Sequence, residues 1–154
     1  ETPVKNKASS DYGFRAVVYL ATEGRVCSSK EIADQMSIPR DYLIQLCLRL
    51  RDAGIVKAHP GKNGGYELAK KPEKISLYDI SKALSAEDKQ PRHPLSKKRD
   101  NGDAVAAVRY TQKVMAKGYA MLYSGISVQD IIDSANADSD IAAVLQAGLD
   151  KSNK

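Results

Sequence analysis

Residues 27–69 read CSSKEIADQMSIPRDYLIQLCLRLRDAGIVKAHPGKNGGYELA. The spacing of Ser28 and Glu31 is that of a capping box, which predicts a helix start, and apolar residues follow at helical intervals. Pro39 ends this short helix and fits the first turn of a longer one, which Gly54 closes. A short helix, a turn and a longer helix in this order predict a helix-turn-helix, a DNA-binding unit.

A hairpin is expected directly after the second helix. Ile55–His59 and Tyr66–Ala69 are short strand candidates, and the glycines between them permit the positive backbone angles that a tight turn needs. The tip carries Lys62 and Asn63 and is basic. The predicted fold class is therefore mainly α with a small β wing, a winged helix-turn-helix.

Helices are predicted on both sides of this unit. Apolar residues at helical spacing predict one from near Tyr12 to Gly24, and the capping pattern of Ser76 with Asp79 predicts another. Each has an apolar face that needs a partner. We expect these helices to pack against the helix-turn-helix and complete a DNA-binding domain over residues 1–84.

The character of the chain changes after this domain. Residues 85–103 are basic and almost free of apolar side chains, which is typical of a loop or linker. A long helix is predicted from about Asp103 to about Ser124, and two shorter helices follow. Residues 104–154 would form a dimerisation helix with C-terminal helices.

One face of the long helix is broadly apolar. Its residues alternate four and three apart, as in helices that pair along a seam: Ala104, Val108, Thr111, Met115, Gly118 and Leu122. So broad a stripe needs more than one surface to bury it, and the matching helix of a second copy is the simplest partner. The sequence therefore predicts a homodimer.

Composition bounds the class of protein. With 42% hydrophobic and 28% charged residues, the chain fits neither a disordered protein nor a membrane protein. No window approaches the roughly 20 apolar residues of a membrane helix, so no membrane partner is predicted and the expected location is cytoplasmic. The net charge of +5 favours acidic partners such as nucleic acid.

The residues that usually carry catalysis or bind metals do not form a pattern. Neither histidine stands in a nucleophile or metal-ligand motif and the carboxylates are scattered, so we predict no enzyme, no metal site and no cofactor. Cys27 and Cys47 are too few for a disulfide framework. Cys27 precedes a helix N-terminus, where a lowered pKa would suit a redox sensor, whereas Cys47 fits a small buried hydrophobe.

With these motifs in place, the chain resembles the bacterial winged-helix regulators that include the iron-sulfur cluster regulator IscR, the nitric-oxide-sensing repressor NsrR and the cysteine-metabolism repressor CymR. The matching stretches are GFRAVVYLA at 13–21, KEIADQMSIPRDYLIQLCLRLRDAGIV at 30–56 and PGKNGGYELAKKPEKISLYDISKAL at 60–84. The resemblance implies a homodimer, paired through the long helix, that binds a pseudopalindromic operator and usually represses.

The resemblance also implies a test for a cofactor. Cluster-binding members carry three cysteines between the fourth helix and the long helix, which is residues 85–103 here. This stretch has no cysteine, and His93 cannot replace three thiolates. The chain therefore resembles the cluster-free branch, controlled either by thiol redox chemistry or by a small-molecule or protein effector.

Nine residues are candidates for contact with double-stranded DNA. A recognition helix presents its N-terminal residues to base edges, so Arg40 should bind a guanine and Gln45 an adenine. The start of the preceding helix suits a phosphate, and the wing suits a minor groove. The full set is Ser28, Ser29, Pro39, Arg40, Tyr42, Gln45, His59, Lys62 and Asn63.

Each of these residues also has a purely structural interpretation. Ser28 and Ser29 can act only as helix caps, Tyr42 can pack, and Arg40 and the wing tip can simply be solvated. The alternative for the whole chain is a winged helix that serves as a protein-interaction module, or as a corepressor partner of a metabolic enzyme. For residues 85–103 we favour a linker over an extra DNA contact or the remnant of a sensory site.

Overall fold

A computed structural model describes residues 8–85 and 102–154 of the chain. Within these ranges it contains seven α-helices, one 3₁₀ turn and one antiparallel two-stranded sheet. The elements are α1 Ala8–Glu23, α2 Ser29–Met36, α3 Arg40–Asp52, β1 Val56–His59, β2 Gly65–Leu68, the 3₁₀ turn Pro72–Lys74, α4 Leu77–Leu84, α5 Gly102–Tyr123, α6 Val128–Asn136 and α7 Ile141–Ser152. The predicted fold class is confirmed. His93 and most of the predicted linker lie outside the described residues.

Helix α1 begins earlier than the sequence indicated. It starts at Ala8 and not near Tyr12, so Asp11 is a helical residue and not a cap. Its carboxylate accepts from Arg15 one turn later, at 2.6 Å. The expected end is confirmed, because Gly24 has φ +64°, the left-handed conformation that glycine adopts without a Cβ clash.

The helix-turn-helix consists of α2 and α3. Ser28 caps α2 by accepting from the backbone N–H of Glu31 at 3.1 Å. The turn is made by Ser37 with φ +54° and by Pro39, which is the N-cap of α3 and not part of its first turn. Gly54, with φ +76°, follows α3 as predicted.

The core lies between α1, the helix-turn-helix and α4. Its largest fully buried side chains come from α1 to α4, from the residues just before β1 and α4, and from α6: Val17, Leu20, Ile32, Leu43, Leu46, Leu50, Ile55, Ile75, Ile80, Leu84 and Val128. Helices α1 and α4 approach closely because Gly13 has no side chain. A Cβ there would lie 2.1 Å from Cδ1 of Leu84.

The wing is attached to the start of α2. Within the hairpin Val56 pairs with Leu68, and the last pair is His59 with Gly65. The backbone of Tyr66 also exchanges two hydrogen bonds of 2.8 Å with Cys27, which lies just before α2. This bridge fixes the wing against the helix-turn-helix.

Two similar hexapeptides lie at the starts of α4 and α6. Residues 75–80 read ISLYDI and residues 126–131 read ISVQDI. Both contain a complete capping box, Ser76 with Asp79 and Ser127 with Asp130. The two serines face each other in an antiparallel bridge, so the starts of α4 and α6 are fixed together.

The remaining C-terminal elements pack around the end of α5. Tyr119 of α5 donates to Ser81 of α4 at 2.5 Å, and α7 packs back against α5. Gly125 permits this packing, because a Cβ there would lie 1.9 Å from the carbonyl oxygen of Gly148. Among the described residues, no helix combines the length and the apolar character needed to cross a bilayer.

Candidate nucleic-acid interface

The starts of α2 and α3 meet at the surface. Arg40 Nε donates to Ser29 Oγ at 3.2 Å, across eleven residues of sequence. Arg40 is exposed and Ser29 is partly exposed. The structure thus brings together one residue predicted to bind phosphate and one predicted to bind a base.

The outward face of α3 is mixed in character. Its buried face holds Leu43, Leu46, Cys47 and Leu50, as predicted. Gln45 is exposed, in agreement with a role at the surface. Two apolar residues that the sequence reading had not selected, Ile44 and Leu48, are 36% and 45% exposed. Their spacing from Arg40, four and eight residues, is the signal that would have placed them on the same stripe.

Tyr42 lies where its structural interpretation put it. Its ring makes an edge-on contact with Tyr12, with centroids 5.5 Å apart, and it is half-buried. The guanidinium of Arg15 lies 5.1 Å from the Tyr12 centroid and also donates to the carbonyl of Met36 at 3.1 Å. This cluster fixes α1 against the turn between α2 and α3.

The wing tip is exposed, and one of its predicted contacts has an internal partner. Lys62 and Asn63 are exposed at the turn. His59 Nε2 lies 2.8 Å from Glu67 Oε1, on the opposite strand. The tip therefore exposes the charge of Lys62, while His59 is held against Glu67 within the hairpin.

Glu31 connects the start of α2 to Tyr19 and Arg25. Its carboxylate accepts from Arg25 at 3.2 Å and from the Tyr19 hydroxyl at 2.8 Å, two donors that lie outside the predicted capping box. These two donors, Arg25 first, lower the pKa of Glu31. The hydrogen bond between the Tyr19 hydroxyl and Glu31 raises the pKa of Tyr19 to about 12. The cluster connects α1 to the start of α2.

Both cysteines are fully buried. Burial raises the pKa of Cys27, and the Glu31 carboxylate raises it further. The expected lowering of that pKa is therefore wrong: desolvation and the nearby Glu31 carboxylate outweigh the effect of the Arg25 guanidinium. Burial also raises the pKa of Cys47 to about 12. Neither thiol is poised to ionise near neutral pH.

An iron-sulfur cluster depends chiefly on cysteine ligands, and the chain has two cysteines. In the two described ranges, no three side chains of His, Cys, Asp or Glu lie close enough to hold an ion. The family resemblance points to thiolates in residues 85–103, and the whole sequence has cysteines only at 27 and 47. Because a cluster is held by three or four ligands, these two buried thiols do not supply its site.

The predicted dimer face is largely exposed in a single chain. Ala104, Val108, Thr111, Met115 and Gly118 are exposed, whereas Leu122 is half-buried near the base of α5. Met115 is 69% exposed and Val108 is 45% exposed. Tyr110 and Val114 add further apolar surface, at 71% and 53% exposed.

Comparison with known proteins places the chain among transcription regulators. Residues 6–134 match the model of a family named Rrf2 and described as an iron-dependent transcriptional regulator. A protein of Mycobacterium tuberculosis named as an HTH-type transcriptional regulator is 33% identical over 101 residues, which is 64% of this chain. The match spans only 58% of that relative's length.

Solved structures agree with this placement. IscR of T. potens superimposes with a TM-score of 0.66 at 27% identity, covering 86% of this chain and 88% of the other. CymR, the global cysteine regulator of B. subtilis, superimposes with a TM-score of 0.60 at 27% identity, covering 84% and 96%. The predicted resemblance is confirmed.

Proposed function

Because the chain belongs to the Rrf2 family of DNA-binding transcriptional regulators, we propose that it is a homodimeric repressor that binds a pseudopalindromic operator without an iron-sulfur cluster. The observation that carries the proposal is the contact between Arg40 and Ser29. The contact joins a side chain that would read bases to a helix N-terminus that would bind a phosphate, an arrangement that suits docking of a helix-turn-helix.

Sequence-specific binding is supported by the way these groups divide the work. The partly positive start of α2, with Ser28 and Ser29, would fix the protein on the backbone, since phosphate contacts set register. Arg40 and Gln45 would then read base edges in the major groove. Lys62 and Asn63, exposed at the wing tip, are available to the adjacent minor groove.

A homodimer is supported by the surface of α5. A row of exposed apolar side chains on a single helix is unfavourable in water, and pairing with its own copy would bury both rows at once. Pairing would also place two reading domains on one duplex. A two-fold axis then explains why the operator should be pseudopalindromic.

Independence from a cluster is supported by the ligand count. Cys27 and Cys47 are both buried, and neither lies in residues 85–103. The three cysteines that the resemblance calls for in that stretch are therefore missing from the sequence. Control by thiol oxidation would require one of these buried sulfurs to become accessible. We therefore favour a small-molecule or protein effector over a thiol switch.

The proposal is tested by fluorescence anisotropy with the full chain. The probes are a labelled duplex from upstream of its own gene and a shuffled duplex of the same composition, each titrated across a potassium chloride series. We expect a Kd of about 10⁻⁸ M or tighter for the upstream duplex at physiological salt, and a log–log slope of about −0.9 per neutralised phosphate.

The shuffled duplex is the control for non-specific binding, which should be weaker by about 10³-fold or more. Equal and weak binding of both duplexes at every salt concentration would overturn sequence-specific binding to this DNA. It would leave the protein-interaction module as the better interpretation of the winged helix.

A further inference from the structure

The reading helix carries an apolar pair that the proposed contacts do not use. Ile44 is 36% exposed and Leu48 is 45% exposed, although α3 already buries four other apolar side chains. The pair lies between Arg40 and Arg51, at successive spacings of four, four and three residues. Residues so spaced form one stripe along a helix, so the stripe reads basic, apolar, apolar, basic.

The position of this pair narrows what it can contact. Phosphate oxygens offer an apolar side chain nothing, because burying it against a charged and hydrated group gains no favourable contact. The major groove does offer apolar groups: the C5-methyl of thymine is the one base substituent there that prefers Ile or Leu over water. The two flanking arginines match the negative potential of the groove edges.

We propose that Ile44 and Leu48 are specificity-determining residues that select thymine by contacting its methyl group in the major groove. The inference rests on the proposed DNA-binding function and adds to it the identity of a base. The two residues are about 6 Å apart along the helix axis, since each residue rises about 1.5 Å. Two base-pair steps span about 7 Å, at about 3.4 Å per step.

Arg40 gives the pair a fixed reference point. It is held by Ser29 one helical turn before Ile44, so a guanine bound by Arg40 would lie next to the first thymine. Each half-site should therefore contain a guanine and, within about two base-pair steps of it on either strand, thymines. Arg51 lies at the other end of the stripe, where it suits the phosphate backbone.

The test removes single methyl groups from the DNA. Duplexes are first selected from a random-sequence library with the full chain, and each thymine of the selected site is then replaced by deoxyuridine, which lacks only the methyl. We expect two positions in each half-site to be sensitive, and each methyl removed there to weaken wild-type binding about fourfold, the factor that burial of one CH₂ group contributes. Ile44→Ala should bind the thymine and uracil duplexes equally, and Leu48→Ala should become insensitive at a different position.

Matched variants and outcomes keep the inference falsifiable. Ile141→Ala, at an isoleucine of α7 that is 76% exposed, should keep the full methyl sensitivity. A selected site with no uracil-sensitive position, or one that weakens wild type and Ile44→Ala alike, would overturn the methyl readout and leave the apolar pair to a protein partner. Failure to enrich any sequence would overturn the proposed function as well.

Discussion

At the start of α3, Arg40 uses its Nε to bond Ser29, so a base edge would be bound through its two terminal nitrogens. We expect Arg40→Ala to weaken binding to the selected operator by about 1–3 kcal/mol, the discrimination that one bidentate contact provides. Arg40→Lys should restore little of it, because lysine lacks the planar fork. Anisotropy with specific and random duplexes measures both.

Two variants separate base reading from simple loss of charge. Ser29→Ala should cost less than Arg40→Ala, since it removes the support of the guanidinium and a phosphate contact but leaves the guanidinium itself. Lys82→Ala removes one positive charge from the exposed surface of α4 and should weaken specific and random DNA by the same small factor. If Arg40→Ala behaves like Lys82→Ala, Arg40 binds the backbone and not a base.

Glu31 predicts a pH dependence of stability. Arg25 and Tyr19 hold the pKa of this carboxyl below its ordinary value in the folded chain. The pKa of Glu31 is therefore higher in the unfolded chain than in the folded one. Its contribution is thus complete above about pH 5 and is lost as the pH falls through the folded pKa. Glu31→Gln should therefore lower the urea midpoint at pH 7 and lower it less near pH 3. A difference that stays constant between the two pH values would contradict this account.

At the scale of elements, local signals predicted the helices that local chemistry controls. The capping boxes at Ser76 and Ser127 and the glycine after α3 were readable because all their partners lie within a few residues. Ser28 with Glu31 has the same spacing, yet Glu31 turns to Tyr19 and Arg25. Spacing cannot reveal such distant partners, and the same holds for the contact between Arg40 and Ser29.

Gly65 allows the wing to approach the backbone just before α2. A Cβ at this position would lie 2.1 Å from the carbonyl oxygen of Cys27, which is backbone and cannot rotate away. We expect Gly65→Ala to destabilise the chain by about 1–3 kcal/mol, as overpacking does, and to detach the wing from α2. Thermal unfolding followed by circular dichroism measures the first effect, and amide exchange at Tyr66 measures the second.

Gly61 is the matched control for this variant. It has φ +101° but nothing within 4 Å of an added Cβ, so Gly61→Ala incurs only backbone strain, of about 1–3 kcal/mol at most. It should leave the protection of the Tyr66 amide intact. Equal loss of that protection in both variants would mean that the wing is held by its turn and not by the bridge to Cys27.

At the scale of the whole molecule, α5 exposes a row of apolar side chains in the single chain. The side chains of α5 are exposed from Asp103 to Tyr119 apart from Val105, and near the end of the helix Tyr119 contacts Ser81 of α4. The sequence identified this surface because its spacing depends on α5 alone. It did not identify that Val128 of α6 completes the core of the reading domain, since that contact depends on the bridge between Ser76 and Ser127.

The dimer proposal predicts that a charge in the middle of α5 separates the subunits. Light scattering of the wild type should give about 34 kDa, twice the 16.8 kDa of one chain. Met115→Glu should give the mass of one chain, because pairing would bury two carboxylates against apolar surface. The variant should keep its melting cooperativity, since Met115 is 69% exposed in the single chain. Its affinity for the full operator should fall to that for an isolated half-site.

Ile141→Glu is the matched control, because it places the same charge on an exposed isoleucine of α7 and should remain dimeric. A dimer that survives Met115→Glu would place the interface elsewhere. Loss of the dimer in both variants would likewise contradict an interface centred on α5.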